Sequence, residues 1–200
     1  MPAAEPATGS PWQQALGADF GALHPRLRGY FSAIPAGRVG RGSGTFDVVG
    51  TPRRWLWPVL RLMQRRRILF PVWERDVPFT VENRPGDARV RAIRTFRLAA
   101  GERVMVDEIS WDSAGLIDRL GDDGVLSAGL TASVVDGAVV LVSNWARWGR
   151  LRIPFAPTVH LTERFDEAVG RQHVAFTLDS RVFGRIYEYS GHFDYAIEAA

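Results

Sequence analysis

Two charged residues of this 200-residue chain stand where charge is expensive. Arg94 and Asp107 fall in alternating segments whose same-face neighbours are Phe96, Met105, Ile109 and Trp111. A buried charge without a partner costs several kcal/mol, so the two must pair or face a wet cavity. A satisfied internal ion pair is the plain outcome. A polar anchor in a binding cavity is the other, because pockets are mostly apolar with a few placed polar groups. The inferred inward faces of later segments add Ser143, Trp145, Arg147, Phe176, Tyr187, Tyr189 and Tyr195. On the binding reading, Arg94 orients a carboxylate, enolate or carbonyl oxygen of a small apolar molecule. Ser143 and Arg147 supply further polar contacts, and Trp111, Trp145, Phe176 and Tyr195 supply flat contact area. The alternative is a cofactor-independent cyclase or isomerase of a polyketide-like substrate, with Asp107 as base and Tyr187 or Tyr189 as proton donor. Asp107 suits that role only if Arg94 does not hold it permanently ionised.

Other groupings carry less. Glu188, Ser190, His192 and Asp194 alternate on one strand face, where residues two apart lie ~6.8 Å from each other. That exceeds the hydrogen-bond reach a Ser–His–Asp relay needs, so this face is expected to meet solvent. The four His, at 24, 160, 173 and 192, show no metal-ligand spacing, and neither a metal nor a cofactor is expected. Gly40, Gly42 and Gly44 lack the strand-to-helix context of a dinucleotide loop. They read instead as a strand face stripped of side chains so that another element can approach closely. The chain has no Cys, and all 25 of its basic residues are Arg. These absences exclude disulfides, thiolate nucleophiles, Schiff-base chemistry and a phosphate-loop lysine.

The elements that must position these residues are mostly strands. Residues 1–11 read as a tail and 12–200 as one domain. Residues 12–31 carry Leu16, Phe20, Leu23, Leu27 and Phe31 at helical spacing, with a break expected at His24 before Pro25. A second helical segment is expected from Pro52 to Phe70, capped by Thr51 and kinked or restarted at Pro58. Beyond residue 71 the pattern is one of period two. Asp136-Gly137 predicts a type I′ hairpin that sets Val135 against Ala138, Ala132 against Leu141 and Ala128 against Trp145. A second hairpin, with Leu98 opposite Arg103, sets Phe96 against Met105 and Arg94 directly against Asp107. About nine strands at regular spacing predict a mainly β, antiparallel, barrel-like (calycin-like) domain behind one or two helices. No apolar run approaches the length of a membrane-spanning helix, and a cytoplasmic location is expected.

Charge is unevenly spread. Residues 26–103 hold 17 Arg against 6 acids, and residues 104–200 hold 8 Arg against 14 acids. Segment 53–67 mixes six Arg with Trp55, Trp57 and aliphatic residues and contains no acid. It reads foremost as a surface helix packed on the barrel. The competing readings are an anionic membrane surface and, least favoured, nucleic acid. The small net charge of +3 argues against a dedicated nucleic-acid protein.

Several short motifs are similar to those of an uncharacterised bacterial domain family. They are Leu23-His24-Pro25-Arg26-Leu27 with Tyr30-Phe31, the stretch Gly40 to Phe46, Pro78-Phe79-Thr80-Val81, Arg94-Thr95-Phe96, Asp118-Arg119-Leu120-Gly121, and Gly184 to Gly191. The resemblance spans roughly residues 20–197. Its members occur alone or fused behind NAD(P)-binding, saccharopine-dehydrogenase-like modules. This implies a link to small-molecule metabolism, or an accessory role for an oxidoreductase, and brings no catalytic residues. Members often carry Trp two residues before the Arg of Arg-x-Phe. Ala92 stands there in this chain and implies a reshaped pocket.

Overall fold

The computed structural model describes residues 9–200. Two short helices, α1 (Pro11–Leu16) and α2 (Pro25–Phe31), flank a 3-10 turn at Gly17–Ala22. A third helix, α3 (Trp57–Arg65), follows a 3-10 turn at Arg54–Leu56. The strands are β1 (Arg38–Gly50), β2 (Trp73–Gly86), β3 (Arg89–Leu98), β4 (Gly101–Asp112), β5 (Gly115–Leu120), β6 (Leu126–Val135), β7 (Ala138–Trp148), β8 (Leu151–Arg152), β9 (Thr158–Asp166), β10 (Arg171–Ser180) and β11 (Gly184–Ala199). The short β8 only extends β7. The other ten form a closed antiparallel barrel, because β7 pairs with both β6 and β9 and β1 pairs with both β2 and β11. No helix is long and apolar enough to cross a membrane among the described residues.

The strand beyond the expected nine is β5. It is only six residues long, and its inward face of Leu116, Asp118 and Leu120 leaves two apolar positions to announce it. The tail expected at residues 1–11 lies mostly outside the described residues. Its last part is structured: Ser10 is buried, caps α1 through the Gln13 N–H, and donates to the Phe31 carbonyl. The break at His24 occurs as expected, with the imidazole capping α2. Pro58 restarts the second helical segment within the first turn of α3, and that helix stops at Arg65.

Every connection leaves the barrel at one of two ends. The N-terminal helices close one of them, burying Leu16, Leu23, Leu27, Tyr30 and Phe31. The α2 side of this plug is tied on by a His24 N–H bond to the Gly137 carbonyl in the β6–β7 turn and by a His24–Glu167 contact of 2.9 Å at the β9–β10 turn. The long β1–β2 connection closes the other end, burying Ile68, Leu69 and Phe70. Between the two plugs the interior is packed with rings. Phe46 stacks on Phe79 at 3.8 Å and on Phe96 at 5.5 Å, and Phe176 stacks on Tyr189 at 4.6 Å.

The inward face of β1 explains its glycines. A Cβ at Gly40 would collide with the Tyr195 ring, and one at Gly44 with the Phe193 backbone. The bare face thus lets the aromatic residues of β11 fold over β1, as expected from the pattern.

Candidate functional site

Arg94 projects inward from β3 and ion-pairs with Asp107 of β4. The two are not directly opposite, as the longer loop predicts. The β3–β4 turn is only Ala99-Ala100, so Leu98 faces Gly101, Arg94 faces Met105, and Asp107 faces Ala92. The whole register moves by two residues. A shift of two preserves the face, so the guanidinium still meets the carboxylate along the diagonal. Their side chains are 17% and 8% exposed.

Two further carboxyls share this interior. Asp118 comes from β5, in the strand next to Asp107. Glu163 comes from β9, which lies five strands from β3 in the ring of ten and therefore on the opposite wall. Gln172 of β10 donates to Glu163. One cation thus stands among three acids, and protons must make up the difference. Burial pushes Glu163 up to about 7, against the opposing pull of Gln172 and Arg94. Burial, and then the neighbouring Asp107, hold the Asp118 carboxyl well above the usual range. Burial works against the charge on Arg94, but Asp107, Tyr189, Tyr30 and Glu163 more than offset it and keep the guanidinium protonated. Burial likewise raises Tyr30 and Tyr189, which remain phenols.

A void of about 10 Å³ lies between Arg94 and Glu163 and is walled by Tyr30, Tyr189 and the rings of Phe46, Phe79 and Phe193. That is room for one water molecule. Around the same interior, Asn83 Oδ1, Asp118 Oδ1 and the Tyr187 hydroxyl are buried without a hydrogen-bond partner. The Tyr187 hydroxyl lies beside the Phe70 backbone without reaching hydrogen-bond geometry. Asn83 Nδ2 donates to the Tyr195 hydroxyl at 3.3 Å, and Tyr195 packs on Tyr30.

The remaining expected site residues divide. Trp111 and Phe176 face inward and pack against the core. Tyr187 also faces inward, but on the Phe70 side, away from the void. Ser143 faces inward, and its hydroxyl is taken by the Val159 N–H. Trp145 and Arg147 do not join the interior. A bulge at Asn144 places Ser143 opposite Leu130 but Trp145 opposite Gly129, which turns the rest of β7 over. The Trp145 indole lies across Gly129 outside the barrel, and Arg147 stacks on it at 4.6 Å.

Two further groupings lie on the outer face of the barrel. A concavity of about 680 Å³ crosses β11, β1, β2 and β3. It is open and charged, and its ions satisfy one another: Arg41 pairs with Glu82 and Glu198, and Arg84 with Glu82. The fold also gathers Asp47, His173 and His192, with ligand atoms within 4.8 Å of one another. Sequence spacing hides this grouping, because β1, β10 and β11 bring it together. Tetrahedral zinc needs its donors about 3.4 Å apart, at bonds of about 2.1 Å. Here Asp166 holds His192 at 3.3 Å and Arg164 at 3.0 Å, which puts a fixed cation beside the group. An ion would have to displace these pairs.

Fold and interior define a class: a closed antiparallel barrel of ten strands, plugged at both ends, with one guanidinium and three carboxyls in an aromatic core. The chain belongs to DUF4166, a domain family of unknown function that matches residues 23–193. No curated protein and no solved structure matches it.

Proposed function

We propose that the domain holds a small, mostly apolar molecule in the barrel interior, with an acidic or carbonyl oxygen of that molecule between Arg94 and Glu163. One observation carries the reading. The interior sets a guanidinium and a carboxyl, Arg94 and Glu163, across a void walled by aromatic rings. Asn83 Oδ1 and Asp118 Oδ1 are left in the same interior without a partner, each at a cost of roughly 1–3 kcal/mol that a ligand group can recover. The void accepts one water, so the molecule enters by displacing lining. Helix α2, which brings Tyr30, is the part that can move, since it lies outside the strand ladder. On this reading the domain works in the cytoplasm. In members fused to NAD(P)-binding modules, the bound molecule is the substrate or product of that oxidoreductase.

A second reading rests on Glu163. A carboxyl that titrates at about 7 beside a fixed cation and two phenols suits general acid–base catalysis near neutral pH. A cofactor-independent isomerase or cyclase would use Glu163 as base, with Tyr189 or Tyr30 as proton donor. Asp107, occupied by Arg94, is the poorer base.

Native mass spectrometry of freshly purified protein tests the binding reading. The wild type is expected to carry a small molecule, and the folded double variant Arg94→Met/Asp107→Leu to have lost it. A variant that keeps the same adduct removes Arg94 from the site. Incubating the released molecule with the protein then separates carrier from enzyme by whether it is chemically changed.

A further inference from the structure

The two ends of the barrel differ in what they expose. At the α2 end lie Val135 and Val169. The opposite end carries nine of the eleven exposed large apolar side chains among the described residues: Trp55, Val59, Leu62, Trp73, Trp148, Leu151, Phe155, Val182 and Phe183. Phe155 is 89% exposed, Val182 80% and Leu151 75%, at the tips of two turns. Trp55 and Phe183 touch, with ring centroids 5.0 Å apart, so the 3-10 turn ahead of α3 and the β10–β11 turn form one surface.

The helical segment made of the 3-10 turn Arg54–Leu56 and α3 is apolar on both sides. Leu56, Leu60 and Met63 face the barrel core. Trp55, Val59 and Leu62, at the same i, i+4, i+7 spacing, face outward and are each more than half exposed. Core packing therefore accounts for only one of its two stripes.

The charge at this end is one-sided. Arg54, Arg61, Arg65, Arg150, Arg152 and Arg181 make no ion pair among the described residues. The nearby acids Asp122, Asp123 and Asp179 are already taken by Arg67 and Arg91, by Arg66, and by Arg185. Glu102 pairs with Arg97 and Glu74 accepts from the Ala99 N–H, so among the described residues the six free Arg face only Asp76 as a free acid on this side. Unpaired Arg beside exposed Trp, Phe and Leu is the pattern of an interfacial lipid contact, with rings at the headgroup boundary and guanidinium groups on anionic headgroups.

We propose that this end of the barrel, formed by α3 and the β7–β9 and β10–β11 connections, docks on an anionic lipid surface. The inference rests on the outer surface alone and stands whatever the interior holds. Nucleic acid fits less well, because four of the nine apolar residues here, Val59, Leu62, Leu151 and Val182, are aliphatic and offer bases no stacking face.

Co-sedimentation of the full chain with vesicles of phosphatidylcholine, with and without phosphatidylserine, tests it. Binding is expected only to the phosphatidylserine vesicles and is expected to fall as salt rises. Arg61→Glu/Arg65→Glu is expected to weaken it more than about tenfold, as basic residues near an anionic surface each contribute about fivefold. Phe155→Ser/Phe183→Ser is expected to weaken it at unchanged charge. Val135→Ser/Val169→Ser, at the other end, is expected to bind as wild type. Equal binding to neutral vesicles, equal loss in the Val135/Val169 control, tighter binding to a single-stranded oligonucleotide than to phosphatidylserine vesicles, or a dimer in solution that buries Trp55 would each overturn the proposal.

Discussion

The barrel interior and the α3 end spend Arg in opposite ways. Inside, one guanidinium stands among three carboxyls, and burial raises Asp118 and Glu163 toward their protonated forms. At the α3 end, unpaired Arg side chains outnumber the free acids and stand beside exposed rings. The first arrangement is closed and sensitive to pH. The second is open and sensitive to salt. Charge imbalance in one fold thus has two meanings, set by burial: a titrating site where water is excluded, and an attractive surface where it is not.

The sharpest way to break the contrast is to remove the inner cation. Arg94→Met leaves Asp107 buried without its partner and is expected to cost about 3–5 kcal/mol in urea unfolding. Arg94→Met/Asp107→Leu is expected to regain most of that, because removing both partners spares the orphaned charge. Equal losses in the two variants would mean that the pair does not act as a unit.

The next effect is a pH dependence. Glu163 is raised from 4.5 to about 7, so the folded state holds a proton there that the unfolded chain has released. The resulting stability is fully present below about pH 4.5 and is lost as pH rises through about 7, a change on the order of 3 kcal/mol. Asp118 is raised too and acts in the same direction. Glu163→Gln is expected to flatten the urea midpoint between pH ~5 and ~8, leaving the share due to Asp118.

Smaller effects sharpen the picture. Tyr187→Phe removes a buried hydroxyl without a partner and is expected to raise stability by about 1 kcal/mol. Trp145→Ala, outside the barrel, is expected to leave any co-purified molecule in place, and its loss from that variant would return Trp145 to the site. Arg61→Glu/Arg65→Glu is expected to leave the urea midpoint unchanged while vesicle binding falls.

Much of the architecture was legible in the sequence. The Asp136-Gly137 turn, with φ of 50° and 78°, fixes its hairpin as far as the bulge, because only a tight turn suits those residues. Ala99-Ala100 carries no such signal, so the neighbouring register came out two residues long, which spared the face but not the partners. The Asn144 bulge adds one residue without any mark in composition, and strict alternation therefore puts Trp145 and Arg147 on the wrong side. The missed acids were readable. Asp118 between Leu116 and Leu120, and Glu163 between Leu161 and Phe165, satisfy the same test that singled out Arg94: a charge on an apolar alternating face. That they meet Arg94 depends on barrel closure, which places β9 across from β3 and has no local signal.

The carboxyl carbon of Glu163, followed by ¹³C NMR across a pH titration, tests the interior account most directly. A midpoint at about 7 in the wild type, rising further in Arg94→Met/Asp107→Leu as the cation is lost, is the predicted result. A midpoint in the ordinary carboxylate range near 4.5, unmoved by that substitution, would contradict it.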